Sequence, residues 1–169
     1  MRRILKVIDS ISEWTGKTGR WLVLAAVVVV VHGVVTRYVF RAPTAWQYEV
    51  SWMMSGAIFV LGWCYAHRHR AHIRVDIIYS RLSLRAKAIF DSILFVLFFL
   101  PIFTMLSYKS VAEMMHSWQI GEKVAESYLY PPFYPFRTVV AIGFCFLLLQ
   151  GGAQFVRDLY LAVRNKPYD

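Results

Sequence analysis

The sequence predicts an all-α integral membrane protein: four transmembrane helices preceded by an amphipathic helix lying in the membrane interface, with both termini cytoplasmic. Three observations predict it. Of 169 residues, 58% are hydrophobic and 17% charged, with a mean hydropathy of +0.47, whereas soluble domains carry nearer a quarter charged residues. Four windows, Trp21–Thr36, Val50–His67, Ser92–Tyr108 and Thr138–Val156, contain no Asp, Glu, Lys or Arg. Each approaches the roughly 20 apolar residues that cross a bilayer once flanking basic and aromatic residues reach the interface. Finally, the basic residues sort to one side of this topology.

Residues 1–16 do not read as a span. Ile4, Val7, Ile8, Ile11 and Trp14 share one helical face, and Arg2, Arg3, Lys6, Asp9, Ser10, Glu13 and Lys17 take the other. An apolar stripe opposite a mostly basic face describes a helix lying in the interface. Gly16 and Gly19 offer a bend into the first span, expected near residues 20–38. Pro43 marks the turn that follows, and Trp46 and Glu49 open a second span near 48–66. The basic loop from His67 to Leu84 has Ile73, Ile77, Ile78 and Leu82 at helical spacing, which predicts a short interfacial helix.

The third span, near 86–108, is expected to continue past Tyr108 to about Trp118, with a kink at Pro101. The loop from Gln119 to Phe136 is rich in aromatics and proline, and the fourth span falls near 137–157. The chain reads as a single membrane domain over 1–169.

Arg2, Arg3, Lys6, Lys17 and Arg20, the loop residues Arg68, Arg70, Arg74, Arg81, Arg85 and Lys87, and Arg157, Arg164 and Lys166 all fall on one side. They are fourteen of the nineteen Lys and Arg residues. The positive-inside rule places that side, and both termini, in the cytoplasm. Basic loops facing membrane lipids account for the net charge of +9 without a nucleic-acid partner.

The residues do not assemble an enzyme. His32, His67, His69, His72 and His116 offer no pair at matching depth for an axially ligated haem, and no cofactor or metal is expected. Cys64 and Cys145 fall in different spans at different depths and read as packing residues. Asp91 can pair with Lys87 one turn earlier. Arg37, Arg41 and Glu49 cluster near the outer surface beside Trp46, where a helix-end salt bridge is the simplest expectation and a docking contact the other.

The stretch Arg37-Tyr38-Val39-Phe40-Arg41-Ala42-Pro43-Thr44-Ala45-Trp46-Gln47-Tyr48-Glu49 resembles the small, DctQ-like membrane subunit of tripartite ATP-independent periplasmic (TRAP) transporters. The continuation is similar too: Gly62, a basic turn, then His72-Ile73-Arg74-Val75-Asp76 and Leu82-Ser83. One departure is Arg70-Ala71 before the histidine, where the family often has two glycines. The resemblance implies a non-catalytic scaffold subunit in the bacterial inner membrane. It implies a large multi-span subunit that carries the sodium and substrate sites, and a periplasmic binding protein that delivers a small organic, carboxylate-type solute. Arg37, Tyr38, Arg41, Trp46, Glu49, His72, Arg74 and Asp76 become candidate partner or assembly contacts. Tyr128, Tyr130, Phe133 and Tyr134 become candidates for a periplasmic docking face. Two other four-span plans compete: the anchor of a respiratory haem b complex, and the small subunit of a tricarboxylate tripartite transporter.

Overall fold

The computed structural model describes residues 2–42, 44–69, 82–124 and 131–164. Among these the chain is helical apart from turns and one isolated antiparallel bridge between Lys123 and Pro132. The helices are α1 (Arg2–Tyr38), α2 (Ala45–Arg68), α3 (Leu84–Leu94), α4 (Leu100–Ile120) and α5 (Tyr134–Arg164), with a π-helical segment, Phe95–Phe99, joining α3 to α4.

Among the described residues, three stretches are long and apolar enough to cross a membrane: Arg3–Tyr38, Leu84–Ile120 and Tyr134–Arg164. α2 is not among them. Its 24 residues give about 36 Å of helix, but Gln47, Glu49, Ser51, Ser55, His67 and Arg68 dilute its apolar character.

The expected break at Gly16 and Gly19 is not taken, and α1 runs unbroken for 37 residues. A Cβ at Gly16 would collide with the Tyr65 ring, and one at Gly33 with the Gln47 side chain. Glycine therefore serves here to bring α1 and α2 close, as small residues do between membrane helices. The two contacts also fix α1 and α2 as antiparallel. α5 packs against α1, α2, α3 and α4 and is the hub of the bundle. The start of α1, the ends of α2 and α5 and the start of α3 thus gather at one end, called the terminal end below.

The interior is small and mixes alanine and a few larger apolar side chains with polar ones. Among the most deeply buried side chains are Gln150, Thr15, Cys64, Ser12 and Ser117, while Val27, Val28, Val31, Leu97, Phe98 and Ile102 stay exposed. That inversion suits a bilayer, where apolar surface has nothing to gain by leaving lipid and helices are joined by close packing and hydrogen bonds.

The kink expected at Pro101 takes the form of a wide turn. Leu100 N–H bonds the Phe95 carbonyl five residues back, so the backbone widens just before the ring that would otherwise press on it. Phe95 and Phe99 then stack at 5.1 Å, Phe95 stacks on Phe155 of α5 at 4.7 Å, and Phe99 on Phe103 at 4.4 Å. α4 does run beyond Tyr108, to Ile120, and ends on Gly121 at φ 58°, the left-handed residue that closes many helices. Between α1 and α2, Arg41 holds the equivalent conformation at φ 52° without being glycine, and Ala42 N–H bonds the Thr36 carbonyl six residues back at 3.0 Å.

Candidate functional site: a polar clasp at the terminal end

Asp9, Ser12 and Glu13 lie three and four residues apart, and so project from neighbouring positions on α1. The same logic places Cys64 and Arg68 together on α2, and Gln150 and Arg157, two turns apart, together on α5. These three pairs of turns meet. Arg157 donates to both Asp9 carboxylate oxygens, Nη2 to Oδ2 at 2.6 Å and Nη1 to Oδ1 at 3.2 Å, the forked geometry in which guanidinium–carboxylate pairs are strongest. Gln150 Nε2 donates to the same Oδ1 at 3.3 Å, and its Oε1 accepts from Ser12 Oγ at 2.7 Å.

From α2, Arg68 Nη1 donates to the Asp9 carbonyl at 2.7 Å and lies 2.7 Å from Glu13 Oε1. His69 Nε2 is 2.9 Å from that same oxygen. Cys64 Sγ sits 3.1 Å from Ser12 Oγ, and both cysteines are free thiols. Gln150 is fully buried and Ser12 nearly so. A buried amide of this kind costs free energy unless its donors and acceptors are used. Here they join α5 to α1, and Arg68 and Cys64 bring α2 to the same place.

This clasp was not anticipated. Asp9 and Glu13 read as part of the wetted arc of an interfacial helix, yet these two turn toward α2 and α5, while Arg3, Lys6, Ser10 and Lys17 of the same arc stay exposed. Ile4 (65%), Val7 (58%) and Trp14 (64%) are exposed as well. Two signals were available: Gln150, deep inside the charge-free window Thr138–Val156, and acidic residues at helical spacing on an otherwise basic segment.

The opposite end is held by a second, smaller arrangement. Arg137 Nε and Nη2 donate to Glu122 at 2.7 and 2.9 Å, its Nη1 lies 3.3 Å from Glu113, and its guanidinium stands 5.0 Å from the Phe133 ring centre. The two hydrogen bonds from Arg137 hold the Glu122 carboxyl below the usual glutamate range. Trp118 Nε1 donates to Thr138 Oγ1 at 2.8 Å, and Trp118 and Tyr134 face each other at 4.4 Å.

The residues proposed from sequence fall in three groups. Arg37, Tyr38 and Arg41 are exposed at the α1–α2 turn, with Tyr38 74% accessible. Trp46 packs on His32 with ring centres 5.5 Å apart. Glu49 does not form the expected helix-end salt bridge: among the described residues it pairs with neither Arg37 nor Arg41. It is buried, and its Oε2 has no hydrogen-bond partner there. Phe133 and Tyr134 pack inward, Phe133 lying 5.7 Å from Trp52 and 5.4 Å from Phe136. His72, Arg74, Asp76, Tyr128 and Tyr130 lie outside the described residues, as does most of the short helix expected after His67.

Between α5 and the α3–α4 helix lies an open cavity of about 330 Å³, lined by Phe95, Phe99 and Phe103 together with His67, Asp91 and Asp158. Among the described residues, no group of three or more His, Cys, Asp or Glu side chains is arranged to hold a metal ion. The arrangements at both ends of the bundle bind helix to helix.

A search of curated proteins gave no match. Residues 26–160 match the family described as tripartite ATP-independent periplasmic transporters, DctQ component, a family of transporter components. The match includes all of α2, α3 and α4 and most of α5. A multi-pass membrane protein built from small-residue packing and polar clasps, and matched over most of its length, this chain belongs to the DctQ component family of TRAP transporters.

Proposed function

We propose that this protein is the static scaffold subunit of a sodium-coupled TRAP transporter in the bacterial inner membrane. In this reading a large multi-span subunit carries the sodium and solute sites, and a periplasmic binding protein delivers a small organic acid. The terminal end faces the cytoplasm, in keeping with the fourteen basic residues on that side. α2 is the fourth span, its length sufficient and its polar residues turned partly into the bundle. The segment 1–16 begins in the cytoplasmic interface.

One observation carries the scaffold role. The consecutive helices α1 and α2 and the distant α5 are locked together by Asp9, Arg68, Gln150 and Arg157, so the subunit behaves as one body against which another can move. Arg37, Tyr38, Arg41 and Trp46 contribute to contacts with the large subunit on the outer side, and His72, Arg74 and Asp76 on the inner side. Tyr128 and Tyr130 belong to the periplasmic face on which the binding protein docks, and Phe133 and Tyr134 pack behind it against Trp52 and Trp118.

Reconstituting the large subunit in proteoliposomes with and without this chain tests the proposal. With binding protein, labelled organic acid and an inward sodium gradient, uptake is expected only when the chain is present. Uptake undiminished in its absence would remove the scaffold role. Charge reversal at Arg41 is expected to slow delivery from the binding protein while leaving complex recovery intact.

A further inference from the structure

The exposed apolar residues of the α1 N-terminal half do not face empty bilayer alone. Lys6, Val7, Ser10, Ile11 and Trp14 of α1 and Phe146 of α5 line an open groove of about 400 Å³. Its lining is mostly apolar, but it is basic at its outer rim. Arg3 stands one turn beyond Lys6 on the same face, and Lys17 one turn beyond Trp14. Ser10 is bound to its own helix, its Oγ donating to the Lys6 carbonyl at 2.9 Å, which leaves the hydroxyl oxygen able to accept. The clasp fixes the groove's depth: Asp9 and Arg157 sit just behind it, at the level where the last span meets its first charge.

We infer that this groove is a binding site for one anionic phospholipid of the cytoplasmic leaflet. Lys6 and Arg3 take the headgroup phosphate, and one acyl chain lies along Ile11, Trp14 and Phe146. Charge decides for a lipid over a protein helix, because the groove pairs a cationic rim with an apolar floor, the pattern an anionic amphipath matches. Trp14 suits the boundary, since indole rings collect where headgroups meet chains. Lipid held here would cover the seam between α1 and α5 directly outside the Asp9–Arg157 pair. The inference rests on the membrane placement proposed above.

The test reconstitutes the full chain, alone and with its large subunit, into phosphatidylethanolamine bilayers containing a minor fraction of brominated phosphatidylglycerol or, separately, brominated phosphatidylcholine. Subtracting the fluorescence of the Trp14→Phe variant isolates Trp14. Brominated phosphatidylglycerol is expected to quench Trp14 at about fivefold lower mole fraction, the weight of one basic side chain at an anionic surface. Lys6→Glu is expected to abolish that preference, and Lys6→Arg to keep it. Equal quenching by both lipids would mean ordinary annular contact and would overturn the site. Absence of quenching by either would mean that protein, the large subunit or a second copy, covers the groove, and would overturn it as well. Release of the chain from membranes by alkaline carbonate is a separate readout. It would overturn the membrane placement, and the lipid site with it.

Discussion

The two ends of the bundle are each closed by a forked arginine–carboxylate pair, but the pairs do different things. At the terminal end, Arg157 and Asp9 are 148 residues apart in sequence, and Gln150, Ser12 and Arg68 tie the pair to a third helix. At the opposite end, Arg137 and Glu122 are separated by 15 residues and join only the consecutive helices α4 and α5. The two pairs are similarly exposed, with side chains 25% and 20% accessible in the first and 30% and 24% in the second, but only the first has a fully buried amide beside it. A long-range clasp sets which helices are neighbours. A short-range one sets only how a hairpin turns.

Substitution at the terminal end should therefore have the larger effect. Asp9→Ala leaves two half-buried guanidinium groups without their carboxylate, and is expected to cost about 2 kcal/mol of unfolding free energy. Chemical unfolding of the purified subunit in detergent would measure it. A cycle with Arg157→Ala should reveal coupling of at least about 1 kcal/mol, and strictly additive effects would mean the pair does not hold the helices together.

A step smaller, Gln150→Leu removes the bridge between Ser12 and Asp9, for about 1 kcal/mol. Ser12→Ala should then cost less in the Gln150→Leu background than alone, because the bond to Gln150 is already gone and the hydroxyl has only the Ile8 carbonyl, at 3.2 Å, left to donate to. Equal costs in the two backgrounds would mean that the Ser12–Gln150 bond is not the relevant contact.

At the opposite end Arg137→Ala should cost only about 0.5 kcal/mol at neutral pH. The pH dependence sharpens the contrast. Glu122 has its carboxyl lowered in the folded state, so its contribution is complete above the ordinary glutamate value of about 4.3. It is lost as pH falls through the lowered folded value. Acid titration of the melting temperature should show this loss in the wild type and not in Arg137→Ala.

Much of this organisation could be read directly. The charge-free windows located the cores of all four long helices, Pro101 marked the place where the third departs from α geometry, and the motifs from Arg37 to Ser83 pointed to the family. The clasp escaped because its residues belong to segments that look complete alone. Asp9 and Glu13 satisfy an amphipathic pattern by themselves, and Arg68 and Arg157 satisfy the positive-inside rule. Nothing in either pattern states that the acidic arc turns inward. Glu49 escaped differently: proximity in sequence to Arg37 and Arg41 suggested a pair, but the α1–α2 turn leaves both arginines exposed while Glu49 points into the bundle.

Local chemistry thus determined what each segment is: its apolar length, its basic flank, the glycine or proline at its limits. Those follow from transfer free energy and backbone sterics, which act residue by residue. The tertiary structure decided which face of each helix is inside. In a bilayer apolar surface gains nothing by burial, so hydrophobic periodicity no longer names the inner face. A glycine that admits a ring, a glutamine that needs four hydrogen-bond partners and a carboxylate that must meet its arginine name it instead, and they can do so only once three helices stand side by side.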